Sequence, residues 1–156
     1  MMNVALAIGR AGSSGFPGKN LFRILGRPLM AYPLMAAAKA RLMDRVFLST
    51  DSEEMATVGR QYGAEWLQRP ASLATNAALS EDAFRHGYES IAGMVEEPIE
   101  SVTLLFCNGA TITPGLIDEG IEALRKDPDL DSAVTVSKYN MWSPLRARRI
   151  GPGGLL

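Results

Sequence analysis

The chain has 156 residues, 47% of them hydrophobic and 21% charged, which excludes a disordered chain and suits one folded domain with a core of useful size. Sixteen Lys and Arg against seventeen Asp and Glu leave a formal net charge of -1. No global field then draws the chain to nucleic acid or to an anionic membrane, so any anion site must be local.

Val4–Ile8 is a continuous apolar run ending at Gly9, the pattern of a strand buried on both faces of a parallel sheet. A glycine-rich stretch, Gly-Arg-Ala-Gly-Ser-Ser-Gly-Phe-Pro-Gly-Lys-Asn over 9–20, follows directly. Leu29–Arg41 reads as a helix with Pro33 in its first turn, where a missing N–H is tolerated. Arg45–Ser49 is a second strand. Asp51 or Ser52 can cap the next helix, Glu53–Tyr62, with Gly63 as its C′ residue.

Ala64–Gln68 reads as a short strand and Arg69–Asn76 as an irregular loop. A helix starts at or before Ser80 and runs to about Met94. Ser101–Phe106 is another apolar strand, Cys107–Thr113 a loop and Pro114–Lys126 a helix. Ser132–Ser137 alternates as a final strand. Trp142–Ile150 reads as extended, and Gly151–Gly154 as a turn into a strand of which only Leu155 and Leu156 are present, so the fold is expected to continue past this chain. Strands alternating with helices through short connections predict a three-layer α/β architecture with a mostly parallel sheet.

Cys107 is the one cysteine, which excludes an internal disulfide framework and a multi-cysteine metal site. The N-terminus lacks the basic region and apolar core of a signal peptide, and no apolar run reaches the roughly 18 residues that cross a bilayer. A cytoplasmic protein without membrane or nucleic-acid partners is expected.

The glycine-rich stretch fails two phosphate motifs. Five residues, not four, separate Gly12 from Gly18, and Asn20 follows Lys19 where a Walker loop needs a hydroxyl for its metal. Gly12, Gly15 and Gly18 are evenly spaced with Pro17 between them, unlike a dinucleotide fingerprint. What remains is a loop whose backbone N–H groups can face an anion, with Arg10 as a fork and Lys19 as a point charge at its two ends.

These residues resemble the acylneuraminate (CMP-sialic acid synthetase-like) cytidylyltransferases. The likeness runs through Arg10–Ser13 and Gly15–Asn20, then Arg27–Tyr32, Asp44–Ser52, Tyr62–Glu65, Arg69–Thr75 and Leu116–Glu119, in order. It implies a Rossmann-like nucleotide-diphospho-sugar transferase (GT-A-like) fold. It also implies transfer of CMP from CTP to the anomeric hydroxyl of a sialic-acid-like or related keto sugar acid, with Mg²⁺ and release of pyrophosphate. On that likeness Arg10 and Lys19 are the catalytic cations. Gly12, Ser13, Ser14, Gly15, Asn20, Arg69, Ser80, Asn108 and Thr111 are the substrate-binding candidates.

The likeness has departures. Ser14 stands where lysine is usual, Asn76 where aspartate is, Phe106 where glutamine is, and Ile112 where arginine is. Arg23 and Arg27 are cations close in sequence that could substitute at the triphosphate. The family's C-terminal segment, with its dimerisation element and metal-binding carboxylates, has no match before Leu156, so the metal ligands are not identified. A homodimer is expected of a full-length form. Asp118, Glu119 and Glu122 read as the solvated face of a helix, and the methionines as core filling. Cys107 lacks a partner base, since His86, the one histidine, lies in a helix with no motif linking the two. A rival from another class is a non-catalytic nucleotide- or sugar-binding relative. A third is a nucleotidyltransferase with a different base or sugar acceptor.

Overall fold

The first strand, β1 (Met2–Ile8), is buried from Val4 to Ile8 because it is central. The computed structural model describes residues 1–12 and 15–136. In it β1 pairs in parallel with β4 (Arg45–Thr50) on one side and β6 (Ile99–Phe106) on the other. Leu6 lies between Phe47 and Leu104. β5 (Glu65–Gln68) pairs in parallel with β4, giving the order β5-β4-β1-β6.

Strand alternation divides the core into two layers. Ala5 and Ala7 face the helices α1 (Ala31–Lys39), α2 (Glu53–Gln61) and α4 (Pro114–Lys126), packing with Leu34, Met55, Ile117 and Ile121. Val4, Leu6 and Ile8 face α3 (Ser80–Met94), packing with Ile91 and Phe84. The architecture is therefore the expected three-layer α/β one, with a parallel sheet.

Local chemistry explains the element ends. Ser52 Oγ accepts from Met55 N at 3.2 Å and so caps α2, leaving Asp51 free of that task. Thr113 Oγ1 caps α4 from Leu116 N at 3.3 Å, with Pro114 in its first turn. Gly63 follows α2 at φ +84. α1 is shorter than its apolar pattern because both flanks have other partners. Leu29 N and Met30 N donate to Phe22 O and Asn20 O, while Arg41 N and Leu42 N donate to the Asp118 carboxylate at 3.1 and 2.8 Å.

Two features differ from the sequence reading. A small antiparallel hairpin, β2 (Arg23–Ile24) with β3 (Arg27–Pro28), precedes α1 and turns through Leu25 at φ 48 and Gly26 at φ 82. Positive φ at both turn positions matches the twist of the paired strands. The segment 132–136 forms no strand: Val134 and Val136 are 77% and 92% exposed and no described strand pairs with them. Alternation fixes a face only when a partner strand supplies one. Ser137 and the elements read over 142–156 lie outside the described residues.

Candidate functional site: a cationic cleft at the strand ends

The chain leaves β1 toward β4 on one side and reaches β6 on the other, so β1 and β6 flank the point where strand order reverses. Open α/β sheets bind ligands beyond the carboxyl ends of such strands. A cleft of about 310 Å³ lies there, lined by Gly9 and Arg10 after β1 and by Phe106, Cys107 and Asn108 around the end of β6. The β5–α3 loop closes it through Leu73, Thr75 and Ala78.

The backbone around Arg10 is held on both sides. Gly9 N donates to Ser49 O at 3.2 Å, Ala11 N to Asp51 Oδ1 at 3.0 Å, and Asn20 Nδ2 to Arg10 O at 3.3 Å. The Arg10 side chain reaches the β5–α3 loop, with Nη1 3.5 Å from Ala74 O. Lys19 follows Gly18, which sits at φ +70, and Phe22 N closes the turn on Gly18 O at 3.0 Å. Gly9 serves close packing instead: a Cβ there would lie 2.6 Å from Cys107 Sγ. Gly12 and Gly15 face open space on the cleft.

Arg69 comes from the end of β5 and is only 6% exposed. Its Nη2 donates to Ser49 O at 2.7 Å and its Nε to Ser49 Oγ at 3.1 Å. Burial draws its pKa below the usual guanidinium value. The charge of Asp51 opposes that shift, and Arg10 adds to it. Among the described residues the ion pairs are Arg41–Glu122, Arg45–Glu65 and Arg125–Glu100. Arg10, Lys19 and Arg69 line the cleft and take part in none of them. Three such cations make a local positive field in a chain of net charge -1.

The fold thus brings together Arg10, Gly12, Gly15, Lys19, Asn20, Arg69, Ser80 and Asn108. Ser13 and Ser14 lie outside the described residues. Thr111 and Asn76 are exposed and are not among the residues that line the cleft. Ser80 begins α3 without capping it: Leu79 holds the N-cap position and no side chain accepts there. Arg23 is turned into its own hairpin, donating to Gly26 O at 2.9 Å, and neither it nor Arg27 lines the cleft.

A family model described as cytidylyltransferase matches residues 4–139. The chain belongs to the cytidylyltransferase family. It is 36% identical over 95 residues to an N-acylneuraminate cytidylyltransferase of Escherichia coli, covering 57% of this chain and 23% of that one. It is 34% identical over 100 residues to a pseudaminic acid cytidylyltransferase of Campylobacter jejuni, covering 64% and 39%. A solved CMP:2-keto-3-deoxy-manno-octonic acid synthetase complexed with CTP shares the fold at a TM-score of 0.68 and 22% identity, covering 83% of this chain and 50% of that one. The chain thus spans a quarter to two-fifths of these two curated relatives and half of the solved one.

Within this family member Cys107 forms part of the cleft floor and is 1% exposed. Burial pushes its thiol pKa up to about 12, against the opposing pull of the Arg69 charge, so at neutral pH it is an inert thiol. His86 does not line the cleft, and its buried Nδ1 has no partner among the described residues. No described helix is long and apolar enough to cross a membrane.

Leu73 and Thr75, within the Arg69–Thr75 likeness, and Ala78 are not marked as site residues by the sequence because the β5–α3 loop reaches the cleft only through tertiary folding. The loop's Ser-Leu-Ala-Thr-Asn run carries no spacing that marks a site. Asp51 reads in sequence as an alternative cap of α2, a role Ser52 takes, because its partner, Ala11, is 40 residues away.

Proposed function

We propose that the cleft binds CTP and that the protein containing this chain transfers CMP to a sialic-acid-like or related keto sugar acid, releasing pyrophosphate. One observation carries the reading: Arg10, Lys19 and Arg69 converge at the strand-order reversal without ion-pair partners among the described residues. Such cations suit the four negative charges of a nucleoside triphosphate, and the names of the curated relatives supply the base and the acceptor class.

In the proposed reaction the acceptor hydroxyl oxygen attacks the α-phosphorus and gives up its proton to water, a new P–O bond forms, and the bond from the α-phosphorus to the α–β bridging oxygen breaks. Negative charge grows on the equatorial oxygens and on the departing pyrophosphate. Arg10 and Lys19 offset that charge from opposite ends of the glycine-rich loop, and their fixed positions avoid reorganisation during the step. Asn20 holds the Arg10 carbonyl, and Ser49 orients Arg69. Gly12, Gly15, Ser80 and Asn108 form the remaining polar wall. Ser13 stays in the proposal on the family likeness, and Ser14 and Thr111 only as polar residues at positions where the chain departs from that likeness. No described side chain is positioned as the general base.

Mg²⁺ and a homodimer belong to the same reading on likeness, and a cytoplasmic location remains the expectation drawn from the N-terminal sequence. The described residues do not bring together three His, Cys, Asp or Glu side chains that could hold a metal, so no step is routed through the ion.

A non-catalytic nucleotide-binding role is the second reading, favoured by Arg23 and Arg27 lying off the cleft, where neither replaces the usual lysine at position 14. Pyrophosphate release with CTP and a panel of nine- and eight-carbon keto sugar acids separates the two. Release with one of the acids supports the transferase. Tight CTP binding without release, by a full-length form, supports the binding module.

A further inference from the structure

The β1–β4 ladder does not stop at the end of β1. Its last main-chain rung is Gly9 N to Ser49 O at 3.2 Å. Two residues further along each strand, where a parallel ladder would place its next rung, Ala11 N meets the side chain of Asp51 instead, with Oδ1 at 3.0 Å. The carboxylate adds one rung to the sheet. It is free to do so because the neighbouring Ser52 caps α2 and because Ser52 N is itself held on Thr50 Oγ1 at 3.2 Å.

The consequence falls on Arg10. Its two flanking amides are tied to the β4 side, through Ser49 and Asp51, and its own carbonyl is tied to Asn20 on the other side. Its backbone is therefore held from both sides while its side chain projects toward the β5–α3 loop at Ala74. Ala11 N–H, being taken, is not one of the donors that an anion would use.

We infer that Asp51 is a positioning residue: its carboxylate pins the start of the glycine-rich loop and so aims Arg10 into the anion site. The inference rests on the nucleotide-binding reading above. It has a sign that opposes simple electrostatics. An acid beside an anion site repels the ligand, so its removal should tighten binding if charge alone mattered. Pinning demands the reverse.

The test compares the parent chain with Asp51→Ala and Asp51→Asn. Each is titrated calorimetrically with CTP and with inorganic tripolyphosphate, and amide exchange is followed over residues 9–12 without ligand. Asp51→Ala is expected to speed exchange at Ala11 and to raise the Kd for tripolyphosphate about tenfold, the worth of one hydrogen bond to a charged group. Asp51→Asn keeps an acceptor without the charge, so it should retain slow exchange and bind as tightly as the parent or more tightly. Equal or tighter binding by Asp51→Ala overturns the inference. So does an Asp51→Asn variant that is weakened as much as Asp51→Ala. A parent chain that binds tripolyphosphate but not CTP overturns the base assignment alone and leaves the Asp51 comparison readable. One that binds neither overturns both. If Asp51→Ala does not fold, Asp51→Glu, which displaces the carboxylate by one methylene, is expected to weaken tripolyphosphate binding, and unchanged binding overturns the inference.

Discussion

Arg69 is clasped by a single residue, Ser49, whose carbonyl and hydroxyl accept from Nη2 and Nε at 2.7 and 3.1 Å. The same carbonyl accepts from Gly9 N at 3.2 Å, so the guanidinium and the start of the glycine-rich loop share one anchor on β4. A buried cation without a carboxylate partner in any described ion pair is costly to hold. A ligand anion would offset that cost.

Replacing Arg69 with Met should therefore separate binding from stability. CTP affinity is expected to fall about 10- to 100-fold, the range for loss of a charge-assisted contact. The melting temperature should hold or rise, because a buried charge is exchanged for an apolar side chain of similar length and Ser49 O keeps its bond from Gly9 N. Calorimetric titration and thermal denaturation read the two effects. A large fall in melting temperature with affinity retained would assign Arg69 a purely structural role.

Close packing under the cleft makes a second prediction. A Cβ on Gly9 would lie 2.6 Å from Cys107 Sγ, 2.8 Å from Met55 Cε and 2.9 Å from Cys107 Cβ. One on Gly87 would first meet the side-chain methyls of Leu6, with Cδ2 at 2.6 Å and Cδ1 at 3.0 Å. The Leu6 methyls can rotate aside, whereas Cys107 Cβ is fixed to its strand end. Gly9→Ala should cost about 1–3 kcal/mol by overpacking, and Gly87→Ala should cost less. Chemical denaturation of both variants checks the order.

The buried thiol gives a pH dependence. Cys107 is raised from 9.0 to about 12 in the folded chain by burial, so between those values the unfolded chain ionises first. Its contribution to stability is present below pH about 9 and is lost as pH rises toward about 12. Stability measured from pH 8 to 11 should fall less steeply for Cys107→Ala than for the parent. The parent thiol should also resist disulfide reagents until the chain is unfolded. Identical alkaline slopes would contradict the buried, protonated state.

Most of the fold was legible because its signals are local. The apolar run at Val4–Ile8, the Ser52 cap and Gly63 at φ +84 each act within one turn of their own position. Pro114–Lys126 is observed with the boundaries read from sequence. The β2–β3 hairpin was not legible: its strands are two residues long, and Leu25 occupies a positive-φ position that Asn or Gly usually marks. Residues 132–136 carried a strand's alternation without a described strand to pair with.

The site divides along the same line. Arg10 and Lys19 stand within one loop, and their cation-and-glycine pattern is visible in the chain itself. The Ala11–Asp51 and Arg69–Ser49 contacts join residues 40 and 20 positions apart, and the β5–α3 loop reaches the cleft only once the sheet has formed. Those are products of register, which no local motif encodes.

Whether this cleft holds the triphosphate of CTP is decided by calorimetric titration of CTP into the parent chain and into Lys19→Ala. Saturable binding by the parent is expected, weakening about tenfold or more when the Lys19 charge is removed. Absence of CTP binding by the parent, or an affinity unchanged by Lys19→Ala, would contradict it.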